Sequence, residues 1–279
     1  MKKVSAAFDG LKFSRGTLEY AVQIAAKSKS LLTGIFLDDF TYHSYKLSDM
    51  VGSQGVSRVK LRNLMEKDID LRSQAADEFK YACIKNYIGY TIHHDRSIAA
   101  QELLKETVYS DLLLISPDET FTHFQEEYPT QFIKDLLIEI QCPVILVPKE
   151  YSEINRVILL YDGTPTSVFA IKMFNYLMPW MVNLETEVVS VVDPSVQTHF
   201  PDDELIKEFI NCHYPGAKYT LLYGNPEIEI PGYLIKLPPG TLVVLGAYRR
   251  SAVSRWFRAS LADVLMSSLK LPLFIAHNK

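Results

Sequence analysis

Apolar positions in this chain cluster in short continuous runs, with longer amphipathic stretches between them. Val4–Phe8, Leu31–Leu37, Tyr90–His94, Leu112–Ser116 and Cys142–Val147 are runs of strand length. Gly16–Ala26 and the segment ending Phe132-Ile133-Lys134-Asp135-Leu136-Leu137 carry apolar residues at helical spacing. Continuous apolar strands separated by helices predict a parallel sheet covered on both faces, the α/β class.

The pattern then recurs. Val157–Gly163 ends in aromatic-Asp-Gly, as Val4–Gly10 does, and a serine follows at the same spacing in each, Ser14 and Ser167. A helix-like segment comes next, Val168–Leu177 matching Gly16–Ala26. Glu187–Val192 then Asp193 matches Leu31–Leu37 then Asp38, Tyr219–Tyr223 matches Tyr90–His94, and Leu242–Gly246 matches Leu112–Ser116. Leu271-Pro272-Leu273-Phe274 closes this half as Cys142-Pro143-Val144-Ile145 closes the first, proline preceding a strand interior where it costs no ladder bond. The chain therefore reads as two tandem domains, 1–149 and 153–279, five strands each, joined by the polar interruption Lys149–Glu153. The first half carries an insertion at about 40–89. It opens on a loop-like Asp49–Gly55 and continues as a helix over Val56–Asn86, whose expected apolar face is Leu61, Leu64, Met65, Ile69, Phe79 and Cys83. The second half has a shorter helix around Asp202–His213.

With 279 residues and 48% apolar content, each half can fill a core. A net charge of −4 argues against a protein that coats nucleic acid. The apolar runs are too short to span a bilayer, and Asp9 interrupts any signal-like start, so a soluble cytoplasmic protein is expected. Cys83, Cys142 and Cys212 form no metal-like spacing and read as small apolar fillers. His93 and His94, adjacent on a strand, face opposite sides and do not share a metal. No catalytic triad or metal set follows from spacing, so no catalytic residue is assigned.

Charge separates the halves at one place. The loop after Leu242–Gly246 carries Arg249, Arg250, Arg255 and Arg258, four of the eleven Lys and Arg residues of the second half. The equivalent loop after Ser116 carries Asp118, Glu119, Glu126 and Glu127, and no Lys or Arg through Gln131. The basic loop suits an anion, and the acidic one repels it. That anion is a nucleotide, a different anionic partner such as a polynucleotide or acidic protein, or the carboxylates of the chain itself.

The order strand-Asp-Gly-helix, strand-acid, long helix, strand, helix, strand-Gly, basic loop, helix, Pro-strand resembles a universal stress protein domain, present twice. The resemblance covers nearly all of the chain. It implies two Rossmann-like domains of the adenine nucleotide alpha hydrolase type, each a five-stranded parallel sheet flanked by helices. It also implies a Gly-x-x-Gly-(nine residues)-Gly-Ser/Thr loop that wraps ATP phosphates. Here Gly246 and Ser260 keep the ends of that pattern, while Arg249 and Ala259 replace two glycines. On the resemblance, ATP with magnesium, or another adenine nucleotide, is taken in the second half by Asp162, Gly163, Val192, Gly246, Arg249, Arg250, Ser251, Arg258 and Ser260. Val191 and Val192 would flank the adenine. Asp162 is equally read as a turn residue, and Asp9 as a turn residue only. The implied role is a binding and regulatory module answering to a protein partner, rather than an enzyme, with slow ATP hydrolysis or another hydrolase or transferase activity on nucleotides left open, the last strands Val144–Val147 and Leu273–Ala276 paired in an intrachain pseudo-dimer, and a homodimer open. The alternative is an interaction scaffold that binds no nucleotide. Gly224-Asn225-Pro226 reads as a turn signal only.

Overall fold

The computed structural model describes residues 1–37, 43–45, 51–52, 55–56, 58–95, 99–122, 126, 129–246 and 259–276. By its contacts the chain divides into Lys2–Gln141 and Cys142–Lys279, the latter joined by Met1.

In Lys2–Gln141, β1 (Lys3–Phe8), β2 (Leu31–Leu37), β5 (Tyr90–Asp95) and β6 (Leu112–Ile115) lie in the order β6-β1-β2-β5, all parallel. Helix α1 (Arg15–Ser28) follows β1. Its start is fixed by Ser14, whose side chain accepts from the Thr17 amide at 3.2 Å, and its end by Lys29 in the left-handed region. Helices α3 (Ala99–Val108) and α4 (Gln131–Glu139) complete the unit, with Thr130 capping α4. The insertion contributes two two-residue strands, β3 (Val51–Gly52) and β4 (Gly55–Val56), paired antiparallel, and helix α2 (Arg58–Lys85).

The apolar face expected of α2 is only half covered. Ala75, Phe79 and Cys83 are buried, and Phe79 meets Phe8 and Phe36 edge-on. Met65 and Ile69, in the first half of the helix, are exposed. The only buried residue in that half is Asp68, which accepts from the Ser44 amide at 3.0 Å and from its hydroxyl. Helical spacing alone cannot say how far along its length a helix lies over a sheet.

In Cys142–Lys279, β8 (Arg156–Leu160), β9 (Glu185–Val192), β10 (Lys218–Tyr223), β11 (Thr241–Gly246) and β12 (Leu273–Ala276) form the parallel order β10-β9-β8-β11-β12. Helices α5 (Pro165–Leu177), α6 (Asp203–His213), α7 (Pro226–Leu234) and α8 (Ala259–Ser268) alternate with them. A sixth strand, β7 (Val144–Leu146), pairs antiparallel with β12, Leu273 opposite Leu146 and Ile275 opposite Val144. Its contacts thus group the closing strand of the first repeat with the second. Residues of β8, β9 and β11 are almost uniformly buried, as continuous apolar strands between two helical layers require.

His93 pairs through Nδ1 with Glu106 Oε1 at 2.5 Å, while His94 stacks on Phe36, so the neighbouring rings do point apart. Cys83 and Cys142 are buried, but Cys212 on α6 is exposed, which corrects its reading as a filler. Among the described residues no helix is long and apolar enough to cross a membrane.

Candidate functional site

In an open α/β sheet, ligands bind beyond the carboxyl ends of the strands. In Cys142–Lys279 a cleft of ≈ 550 Å³ lies there, within the usual range for small-molecule sites. Its walls come from three strand ends: Asp162 after β8, Val191, Val192 and Asp193 from β9, and Gly224, Asn225 and Pro226 after β10. Val196, Gln197 and Pro201 close the remaining side.

Asp162 is built into the turn that begins α5. Its Oδ1 accepts from the Thr164 amide at 2.9 Å and from the Thr164 hydroxyl at 2.6 Å. Thr164 caps the helix, and Pro165 occupies the first helical position, where a missing N–H costs nothing. Oδ1 is therefore fully used by the turn. Oδ2 is different: it is buried, the residue being only 5% exposed, and has no hydrogen-bond partner among the described residues. A carboxylate oxygen is an acceptor, and leaving one dry and unpaired is costly. Asp162 as a residue lines the cleft, and an acceptor of this kind is suited to a hydroxyl, an N–H or a cation. The turn reading of Asp162 is met through Oδ1.

Asp193, on the opposite wall, accepts at Oδ1 from the Ser195 hydroxyl at 2.6 Å and from its amide at 2.9 Å. These bonds, the hydroxyl's first, hold its carboxyl below the ordinary value. At the third wall Gly224 has φ +132°, a conformation open to glycine and strained for other residues, and Asn225 caps α7 by accepting from the Glu227 amide at 3.0 Å. The cleft thus presents two carboxylates, an apolar β9 wall and a helix start.

Of the residues expected from sequence, Asp162 and Val192 meet in this cleft. Gly163, at φ +78°, lies instead on a neighbouring groove of ≈ 480 Å³ between α5 and α6. Gly246 ends β11 and is explained by packing: a Cβ there would sit 2.5 Å from the Thr166 carbonyl oxygen. Arg249, Arg250, Ser251 and Arg258 lie outside the described residues, as does the side chain of Ser260, whose backbone belongs to α8. Sequence reasoning did not place Asp193, Pro201 or Gly224-Asn225-Pro226 at this cleft. The signal was available in the last case, since a Gly-Asn-Pro turn directly after a parallel strand sits at the ligand end of the sheet.

The first half differs at the equivalent place. Asp9 is buried, with Oδ1 accepting from the Leu11 amide at 2.8 Å. Where Val191 stands in the second half, the first has Phe36, whose ring stacks on Phe8, Phe13 and His94 at 5.3, 6.3 and 5.5 Å. Four aromatic rings fill that end of the sheet. No group of three or more metal-ligating side chains occurs among the described residues.

No family model matches the chain, and no curated protein does. Solved structures do. A universal stress protein from Archaeoglobus fulgidus superposes with a TM-score of 0.69 at 14% identity, over 99% of this chain and 98% of that one. A functionally unknown protein from Pseudomonas aeruginosa PAO1 gives 0.65 at 13%, over 99% and 92%. The cytoplasmic domain of a prokaryotic cation chloride cotransporter gives 0.52 at 10%, over 99% and 95%. At such identities the likeness is one of fold, and over its whole length this chain has the tandem universal stress protein fold.

Proposed function

We propose that the chain is a nucleotide-responsive binding module, taking ATP or another adenine nucleotide in the cleft of Cys142–Lys279. The observation that carries this reading is the unpaired, buried Oδ2 of Asp162 on a cleft of ligand size. A ribose hydroxyl would satisfy it, and Val191 and Val192 supply an apolar wall for a base. Phosphates would be held by the loop that bears Arg249, Arg250, Ser251, Arg258 and Ser260. Magnesium would ride on the phosphates, since one or two carboxylates with phosphate oxygens are its usual protein environment. The module works by binding, in the cytoplasm, and its ligand state is read by a protein partner.

Calorimetric titration with ATP and magnesium tests this, alongside Asp162→Asn and the double variant Arg249→Ala, Arg250→Ala. Saturable heat near one site per chain, weakened roughly tenfold or more by either change, is expected, because each removes a charge-assisted contact of about 1.5–3 kcal/mol. No heat and no thermal stabilisation at millimolar ATP would refute it. Asp162→Asn should at the same time keep the turn, since an amide oxygen can replace Oδ1 in accepting from the Thr164 amide and hydroxyl.

A second reading, an interaction scaffold without nucleotide, is favoured by one observation: Gly246 is accounted for by packing and need not serve a phosphate.

A further inference from the structure

The segment Phe200–Asp202 joins the cleft to helix α6, and it is held unusually firmly. Phe200 is buried and meets Tyr219 edge-on at 5.7 Å. The Pro201 carbonyl accepts from the Tyr161 hydroxyl at 3.1 Å. The Pro201 ring lies against Gly163 so closely that a Cβ on that glycine would be 2.6 Å from Pro201 Cβ. Tyr161 is itself buried, and burial pushes its phenol up to about 12, so the hydroxyl stays a donor at physiological pH. Pro201 is thus clamped to the end of β8 and the Asp162-Gly163 turn, the same turn that carries the unpaired carboxylate oxygen.

The next residue is not clamped. Asp202 stands at φ +45°, ψ +46°, a left-handed conformation uncommon outside glycine. It is the cap position of α6, yet its side chain makes no capping bond. The first intrahelical bond is the Ile206 amide donating to the Asp202 carbonyl at 3.0 Å, as at any helix start, so Asp202 itself sets where the helix begins. Torsion left over in the segment falls on Asp202. Pro201 lines the cleft on one side of this joint; Gly163, Asp202, Leu205 and Phe209 line the groove between α5 and α6 on the other.

We propose that Tyr161 is a positioning residue, acting through Pro201, and that the Gly163–Pro201–Asp202 joint carries the ligand state of the cleft to α6 and its groove. A ligand satisfying Asp162 Oδ2 packs on Pro201, which cannot retreat into Gly163 or away from Tyr161. The load passes to Asp202 and fixes the start of α6. This regulation rests on the nucleotide reading of the cleft. Sites couple in this way only through an element that both bias, and here that element is a single backbone joint.

Amide exchange of the full chain, with and without saturating ATP and magnesium, tests the proposal, with calorimetry run on the same samples. Exchange at the first two turns of α6 should slow about fivefold or more on binding, the lower range of measured couplings. In Tyr161→Phe the heat of binding should persist while the slowing drops below about twofold, because Pro201 is then free to yield. Asp202→Gly, which relaxes the joint from the other side without touching the phenol, should lose the slowing in the same way. A hydroxyl that merely holds the fold would lower stability in Tyr161→Phe without uncoupling binding from α6. Heat without slowing in the unaltered chain, or slowing retained in both variants, overturns the proposal alone. Absence of heat overturns the nucleotide reading and this proposal with it.

Discussion

Replacing Gly246 by alanine separates packing from ligand binding at the one glycine shared with a phosphate loop. The new methyl would lie 2.5 Å from the Thr166 carbonyl oxygen, 2.6 Å from its carbon and 2.9 Å from the Ser167 nitrogen. All three are backbone atoms of the first turn of α5. That turn is fixed by the Thr164 cap, by Ser167 donating its hydroxyl to the Thr164 carbonyl at 2.8 Å, and by Asp162 below it. Strand β11 or helix α5 must therefore move bodily. Overpacking of this kind costs about 1–3 kcal/mol, and a backbone obstacle places Gly246→Ala in the upper part of that range. Lower unfolded-state entropy of alanine offsets about 0.4–1 kcal/mol, leaving a net loss of about 2 kcal/mol. For a unit of this size the unfolding midpoint should fall by roughly 5–10 °C. Both tryptophans, Trp180 and Trp256, lie in Cys142–Lys279, so tryptophan fluorescence follows that unit and not the other. The melt is run without nucleotide. A midpoint within about 1 °C of the unaltered chain would mean that β11 and α5 are not packed as described.

Acid stability should depend on Glu185, whose Oε1 lies 2.5 Å from Arg156 Nη2 and 2.8 Å from Lys218 Nζ. The hydrogen bond from Arg156, then that from Lys218, draws its pKa from the ordinary 4.5 down to about 2. A depressed carboxylate stabilises the fold above its unfolded value and loses that contribution as pH falls, here between 4.5 and about 2. Glu185→Gln should flatten the dependence of the urea midpoint on pH across that window, and added salt should do the same to the unaltered chain, the group being solvent-facing. An unchanged slope would refute the assignment. Thiol labelling of the native protein should modify Cys212 alone, with Cys83 and Cys142 reacting only on denaturation. Burial pushes Cys83 up to about 12 and shields both. Rapid native labelling of two thiols would contradict the packing of α2 or of the strand entry at Cys142.

Strand positions were legible because each strand carries a short apolar run, wholly apolar in β6, β7 and β12; Leu31–Leu37 matches β2 residue for residue. Helix starts were less so: the expected Gly16–Ala26 begins one residue earlier, at Arg15, and the expected Val168–Leu177 begins at Pro165, after the Thr164 cap. Coverage was not: nothing in the spacing of Met65 and Ile69 distinguishes them from Phe79 and Cys83, since burial is decided by what lies opposite. The site was legible where one residue carries it, as with Asp162. It was illegible where topology gathers it, because Asp193 and Pro201 come from the connection after β9 and Gly224 from the one after β10, with no common pattern. Gly246 was visible as an obligatory glycine, but sequence cannot distinguish a glycine cleared for a ligand from one cleared for a helix.

The pairing of β7 with β12 has a consequence for how the chain could be divided. Cut by its internal repeat, a fragment beginning at residue 153 would leave behind Val144–Leu146 and bare the whole flank of β12, an open row of amides and carbonyls that invites pairing with another copy. Cut by its contacts, a fragment beginning at Cys142 keeps β12 paired with β7. The repeat read from the sequence and the unit grouped by contacts thus differ by one strand. A repeat that lends its closing strand to the other half is no longer free to be lost, swapped or transplanted by itself.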